Sequence, residues 1–182
     1  MRALLGAFLV AACARREEGG AGSTSAETTS AARPPPPAWT VTQTGWGPIR
    51  AGMSVAEARA ALGGELPEPS NRECDHVRPP RGPQGVLIMT VGGHVARVEV
   101  TDSTVVTAAG ARVGDTEARI NALYPGRVQT APHKYTDGDY LVVRGGASAD
   151  SVYRIVFETD GQRVTRYRSG RLPEVEWVEG CG

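Results

Sequence analysis

The 182-residue chain carries no excess of either charge, since 20 Lys and Arg offset 20 Asp and Glu. That balance removes the electrostatic footprint of a dedicated nucleic-acid binder. It has only three His and three Cys, with no C-x-x-C or H-x-x-x-H spacing, so no typical metal site is spelled out and no cofactor is expected. Nucleophile-elbow and Walker sequences are also missing. Gly45-x-Gly47 is not a phosphate loop, because Pro48 removes an amide where such a cradle needs donors. No apolar run approaches the roughly 20 residues that a bilayer-spanning helix needs. Aromatics are scarce, at 5%. What is present is 40% apolar composition, too much for a wholly disordered chain, with 23 Gly and 13 Pro. Such a mixture predicts many turns, short strands and one modest core. All basic residues except Lys134 are Arg, which GC-rich codon usage explains most simply.

The N-terminus carries an address. Met1-Arg2 is a short positive segment, and Ala3 to Ala12 is an apolar run too short to span a membrane, ending in small residues before Cys13. Val10-Ala11-Ala12-Cys13 resembles the lipobox of bacterial lipoproteins, which implies lipidation of Cys13; an ordinary signal peptide cut nearby is the alternative. Residues 14–38, ending in Pro34 to Pro37, hold no large apolar side chain, which predicts a solvated tether. The expected organisation is a signal peptide over 1–12, a lipidated Cys and tether over 13–38, and two α+β units over 39–108 and 109–182. The expected location is the periplasm or the outer membrane, with membrane contact through a lipid anchor only.

If Cys13 is lipidated, Cys74 and Cys181 remain as one pair, and in an oxidising compartment a disulfide is expected. A metal-binding or reactive thiol is the alternative.

The two halves read alike. In the first, Ser54 with Glu57 forms a capping box for a helix whose Val55, Ala58 and Leu62 make an apolar stripe. In the second, Asp115 is expected to cap a helix with Ile120, Leu123 and Tyr124 on its apolar side, stopped by Pro125-Gly126. Strands are expected at Cys74–Arg78, Val86–Val91, His94–Thr101, Val128–Ala131, Tyr140–Arg144, Val152–Thr159, Gln162–Arg168 and Val175–Val178. Gly92-Gly93 and Asp160-Gly161 mark hairpin turns. Ala96, Val98 and Val100 alternate with Arg97, Glu99 and Thr101, which predicts one buried face. Aligning Glu57-Ala58-Arg59 with Glu117-Ala118-Arg119 suggests a duplication with a period of about 60 residues, outside the solenoid range.

Gly52-Met53-Ser54, a short helix, Leu62-Gly63 and then strands resemble the G-M-[ST]…L-G element of the BamE (SmpA/OmlA) outer-membrane lipoproteins. The doubling resembles the β-lactamase inhibitor protein family. These resemblances imply an α+β fold of two related units, each a short helix packed on antiparallel strands, forming one twisted sheet with a face left for a partner. The scarcity of strand aromatics departs from the inhibitor pattern, so no contact residues follow. Pro132-His133-Lys134-Tyr135 and Glu179-Gly180-Cys181 also resemble an uncharacterised exported bacterial family.

Few residues suggest chemistry. Glu73, Asp75 and His76 flank Cys74 and, with His94 or His133, offer zinc-ligand types, but successive strand residues point to opposite faces. His133 with Tyr135, Asp137 and Asp139 is a candidate general-base or ligand-contact group, or an ordinary polar turn with a solvent-facing His. Arg97, Arg154, Arg166 and Arg168 read as a solvated strand face that could contact an anion or carbohydrate if clustered. Trp46 and Trp177 read as core or core-edge residues. The expected function is a binding module for an envelope protein or polymer. Alternatives are an enzyme on an envelope polymer using His133 and nearby carboxylates, and a lipoprotein supporting an outer-membrane assembly.

Overall fold

The computed structural model describes residues 39–145 and 149–182. The signal segment, Cys13 and the tether lie outside them. After Trp39 the chain forms three two-residue strands, β1 (Val41–Thr42), β2 (Gly45–Trp46) and β3 (Ile49–Arg50), paired as a small antiparallel sheet. These short pieces were not expected from alternation, because two residues cannot display a period.

Helix α1 (Val55–Ala61) leads to β4 (Cys74–Val77), β5 (Val86–Val91) and β6 (His94–Val100), and helix α2 (Glu117–Leu123) leads to β7 (Val128–Pro132), β8 (Asp139–Arg144), β9 (Tyr153–Thr159) and β10 (Val164–Arg171). The strands make a seven-stranded antiparallel sheet in the order β4-β5-β6-β10-β9-β8-β7. End points match the alternation to one residue except in β10, which starts later and runs on to Arg171.

The expected capping box is present. Glu57 N–H donates to Ser54 Oγ (3.2 Å), and Ser54 N–H donates to Glu57 Oε2 (2.8 Å). In α2 the cap is Thr116 rather than Asp115: Thr116 Oγ1 accepts from Arg119 N–H at 3.2 Å. Asp115 sits one residue too early, with its carbonyl accepting Val164 N–H at 2.9 Å and its Oδ2 accepting Arg112 N–H at 2.9 Å.

Both helices enter the sheet in the same way. Gly52 N–H donates to Val95 O (2.8 Å) and Val95 N–H to Met53 O (2.7 Å); Gly114 N–H donates to Val164 O (2.8 Å) and Val164 N–H to Asp115 O (2.9 Å). Each helix is seven residues long and begins three residues after that glycine. Ala58 and Ile120, the same position in each, are both fully buried. The correspondence therefore runs through the glycines, and the Glu-Ala-Arg triplets are two residues out of register.

The main core lies between the sheet, the helices and the small N-terminal sheet, and includes Trp46, Ile49, Ile88, Val98, Phe157 and Tyr167. The register corrects one element of the alternation. Met89 pairs with Arg97 and Thr90 with Val95, so Ala96 is the extra residue of a bulge and Val95 takes its place in this core. The bulge sets Ala96 O against Gly170, where a β-carbon would come within 2.4 Å of it. Glycine is therefore the residue that lets β10 close on β6.

The last expected strand, Val175–Val178, is not a strand. Residues 172–181 cross the other face of the sheet as a strap containing a short 3-10 helix, Glu174–Glu176. It crosses interior strands, which offer no free edge for pairing. Cys74 and Cys181 form a disulfide, with their Cα atoms 5.4 Å apart, and Val175 is fully buried with Tyr140 and Val156. The pairing expected for these cysteines is thus present.

Candidate functional site

The face under the strap gathers the charged residues of four strands. Sheet register puts His76, Met89, Arg97, Gly170 and Arg154 in one row, and Leu87, Glu99, Arg168, Val156 and Val142 in the next. An apolar–charged alternation of this kind suits a wetted surface, and Arg97 and Arg168 were expected there. Instead they are only 3% and 5% exposed. The reason is the strap, whose carbonyls take their hydrogen bonds. Arg97 Nη1 donates to Glu174 O (2.7 Å) and Trp177 O (2.6 Å), and Arg168 Nε donates to Val175 O (2.6 Å).

Each buried guanidinium also meets a carboxylate. Arg97 Nε and Nη2 donate to Glu99 Oε1 at 2.8 and 2.5 Å, and His76 Nε2 donates to the same oxygen at 3.1 Å. Burial alone would raise the Glu99 carboxyl, but the hydrogen bond from His76 and the charge and hydrogen bonds of Arg97 hold it at about 2. Glu158, 3% exposed, accepts from Arg168 Nη1 through Oε1, and through Oε2 from Arg166 Nε (2.7 Å) and His133 Nε2 (3.3 Å). Its burial is likewise outweighed, chiefly by the charge of Arg168 and the hydrogen bond and charge of Arg166, so its carboxyl lies below the ordinary range. Neither Glu99 nor Glu158 stood out in the sequence. Their signal is Arg opposite Glu across paired strands, visible only once register is known.

His133 is not in a solvent-facing turn. Its side chain is 6% exposed and stacks on Tyr140, ring centroids 4.4 Å apart. Nδ1 accepts from Tyr135 N–H at 3.1 Å, which assigns the proton to Nε2, the nitrogen donating to Glu158. Both ring nitrogens are occupied. Asp137 is exposed and makes no side-chain hydrogen bond to His133 among the described residues, and Asp139 uses its amide on Thr159 Oγ1 at 2.9 Å. The four-residue general-base group therefore does not assemble.

Arg154 is also under cover, 15% exposed, and faces Glu176 of the strap at 3.9 Å. Of the four strand arginines only Arg166, 59% exposed, lies in the open. Tyr135 is exposed and donates its hydroxyl to Glu179 of the strap, which also accepts from Lys134 Nζ at 2.9 Å. Trp46 is buried, and Trp177 is 37% exposed on the strap. His76 is taken by Glu99, Asp75 by the Ser70 turn and His94 by Gly92 O (3.1 Å). Among the described residues no three His, Cys, Asp or Glu side chains are placed to hold a metal ion.

Between the end of the strap (Val178–Gly180) and strands β4 to β6, β9 and β10 lies a cleft of about 240 Å³, whose charged and polar wall includes His76, Arg97, Glu99, Glu158, Arg166, Arg168 and Glu179.

No family model and no curated protein matches this chain. Among solved structures, the crystal structure of the uncharacterized protein YfeY from Escherichia coli is similar at 15% identity, with a TM-score of 0.45, over 72% of this chain and 99% of that one. At that level the likeness assigns neither family nor function.

Proposed function

We propose that this protein is an envelope lipoprotein, anchored through Cys13, that binds a protein partner on the outer surface of its C-terminal strap. The observation that carries this reading is the placement of the exposed large hydrophobics. Among the described residues these are Tyr135, Val152 and Trp177, 60%, 47% and 37% exposed. All three border the strap: Val152 O accepts Leu172 N–H at its start, Trp177 lies within it, and Tyr135 is bonded to Glu179 near its end. Aromatic anchors set among Lys134, Glu176 and Glu179 have the composition of a recognition surface, and the disulfide holds them in place before binding. The engagement of both ring nitrogens of His133 supports binding over catalysis, because a general base needs a free lone pair facing the reactant.

The matching glycine, cap and helix positions of α1 and α2 support a duplicated unit, with the two copies joined through β6 and β10 into one twisted sheet. The strap would then be an addition to the second copy that covers the face the duplication leaves open.

Photo-crosslinking in cells tests the proposal. A crosslinker at Trp177 or Tyr135 is expected to capture one discrete protein adduct that a crosslinker at Ala61, exposed on α1, does not. The same adduct from all three positions, or none from the strap, would defeat it.

A further inference from the structure

We infer that the cleft beside the strap is a binding site for an oxyanion, the carboxylate or phosphate group of a small molecule. The argument is a count of donors. A guanidinium has five N–H groups. Arg168 uses Nε on Val175 O and one Nη1 hydrogen on Glu158, and Nη2 has no partner among the described residues. Arg166 uses only Nε, on Glu158, so both of its Nη groups are likewise unpartnered. Both side chains line the cleft, and the Arg168 side chain is 6% exposed, so the cleft is where its spare donors meet solvent or ligand. Neither spare group is sealed from water, since the buried side-chain polar atom without a partner among the described residues is Glu174 Oε2; the donors are open to a ligand, and forked N–H pairs suit an oxyanion best.

Charge points the same way. Arg97 is offset by Glu99, and Glu179 by Lys134. Arg166 and Arg168 share the single carboxylate of Glu158, so positive charge is concentrated at the β10 side of a cleft whose lining as a whole, three Arg and three Glu, is balanced. The cleft volume of about 240 Å³ falls below the roughly 300–1,000 Å³ of drug-sized pockets, so one compact ionic group fits it better than an extended ligand. Glu99 Oε2, unpartnered among the described residues, is an acceptor on the same wall. An anion with an adjacent hydroxyl, such as a hydroxy acid or hydrogen phosphate, satisfies both sides. This site shares Glu179 with the proposed partner surface, but its ligand is a small anion held by Arg166 and Arg168, so its test does not depend on the partner.

The test is calorimetric titration of the full-length, oxidised protein with inorganic phosphate, succinate and malate. Saturable binding of at least one is expected, with malate tighter than succinate if the carboxylate source is correct and phosphate tightest if it is not. Arg166→Gln, an exposed change that leaves the fold intact, should weaken binding about tenfold, the value of one lost bidentate pair. Arg154→Gln, outside the cleft, should not. No saturable binding of any probe into the millimolar range, or equal binding by Arg166→Gln, would overturn the assignment.

Discussion

Replacing Cys74 and Cys181 by Ser tests how the strap is held. The bond closes a sequence separation of 107 residues, for which the chain-entropy model gives about 4.7 kcal/mol as an upper value. For a folded part of this size each kcal/mol is worth about 3 °C, so the melting midpoint should fall by up to about 15 °C. A second readout separates global from local loss. The strap retains three guanidinium–carbonyl hydrogen bonds, each worth about 1.5–3 kcal/mol, and the buried Val175, worth about 1.5–3 kcal/mol. Ordering residues 173–181 costs about 1–2 kcal/mol per residue. These opposing ranges overlap, so without the disulfide the strap should sit near its own unfolding midpoint while the sheet persists. The amides of Glu176 and Trp177, bonded to Pro173 O and Glu174 O, should lose most of their hydrogen-exchange protection; those of β6 and β9 should lose little beyond the global change. A midpoint lowered by less than about 3 °C, with unchanged exchange at Glu176 and Trp177, would refute the reasoning and assign the hold to packing alone.

Acid should weaken the fold through Glu99. Its folded value of about 2 lies below the ordinary 4.5, so its stabilisation is full above the ordinary value and is lost as pH falls toward 2; denaturant melts across that window should be flatter in Glu99→Gln. Ser54→Ala removes a capping box and should cost about 1 kcal/mol in chemical denaturation, with Thr116→Ala costing a similar amount or less, as its cap is single. Gly170→Ala forces a β-carbon to within 2.4 Å of Ala96 O at the β6–β10 seam and should cost about 2–4 kcal/mol or abolish soluble expression. Cys13→Ala should move the protein from the membrane fraction to the soluble one, and an unchanged distribution would remove the anchor from the proposal.

Local signals were legible because they are complete within a few residues. Ser54 and Glu57 state a capping box by themselves, Gly92-Gly93 states a tight hairpin, and both have the expected geometry, with φ of 58° and 78° at the two glycines. Alternation marks β6 and β9, whose alternate side chains face the main core, and the flanking turn residues bound the other long strands. The Asp115 assignment failed by one residue for a nonlocal reason: β10 claims its carbonyl, which shifts the cap to Thr116. The Ala96 bulge was likewise invisible, since nothing in a run of alternating residues marks where a partner strand will skip one. The likeness of the two halves is legible in the Glu-Ala-Arg triplets, but these do not occupy equivalent helix positions, since Ala58 is fully buried and Ala118 exposed; what the two helix starts share is a backbone feature at Gly52 and Gly114, φ 97° and 93°.

The outer face of the sheet fails differently, and the difference changes how its residues should be probed. Arg97, Arg154 and Arg168 read as solvated because a lone strand with charges on alternate positions has no better place for them than water. Burial becomes tolerable only when each charge gains an opposite charge and the leftover donors gain acceptors. The strap supplies those acceptors as backbone carbonyls, from a segment about 80 positions beyond Arg97 in sequence. Strap and arginines therefore need each other: without the guanidinium groups the carbonyls of Glu174, Val175 and Trp177 lose partners under cover, and without the strap the guanidinium groups lose theirs. Reversing the charge at Arg97 or Arg168 would set a second carboxylate beside Glu99 or Glu158 and remove the hold on the strap, so any loss of partner binding would report folding. Arg166, exposed and bonded through one nitrogen, is the strand arginine at which a charge change can report recognition.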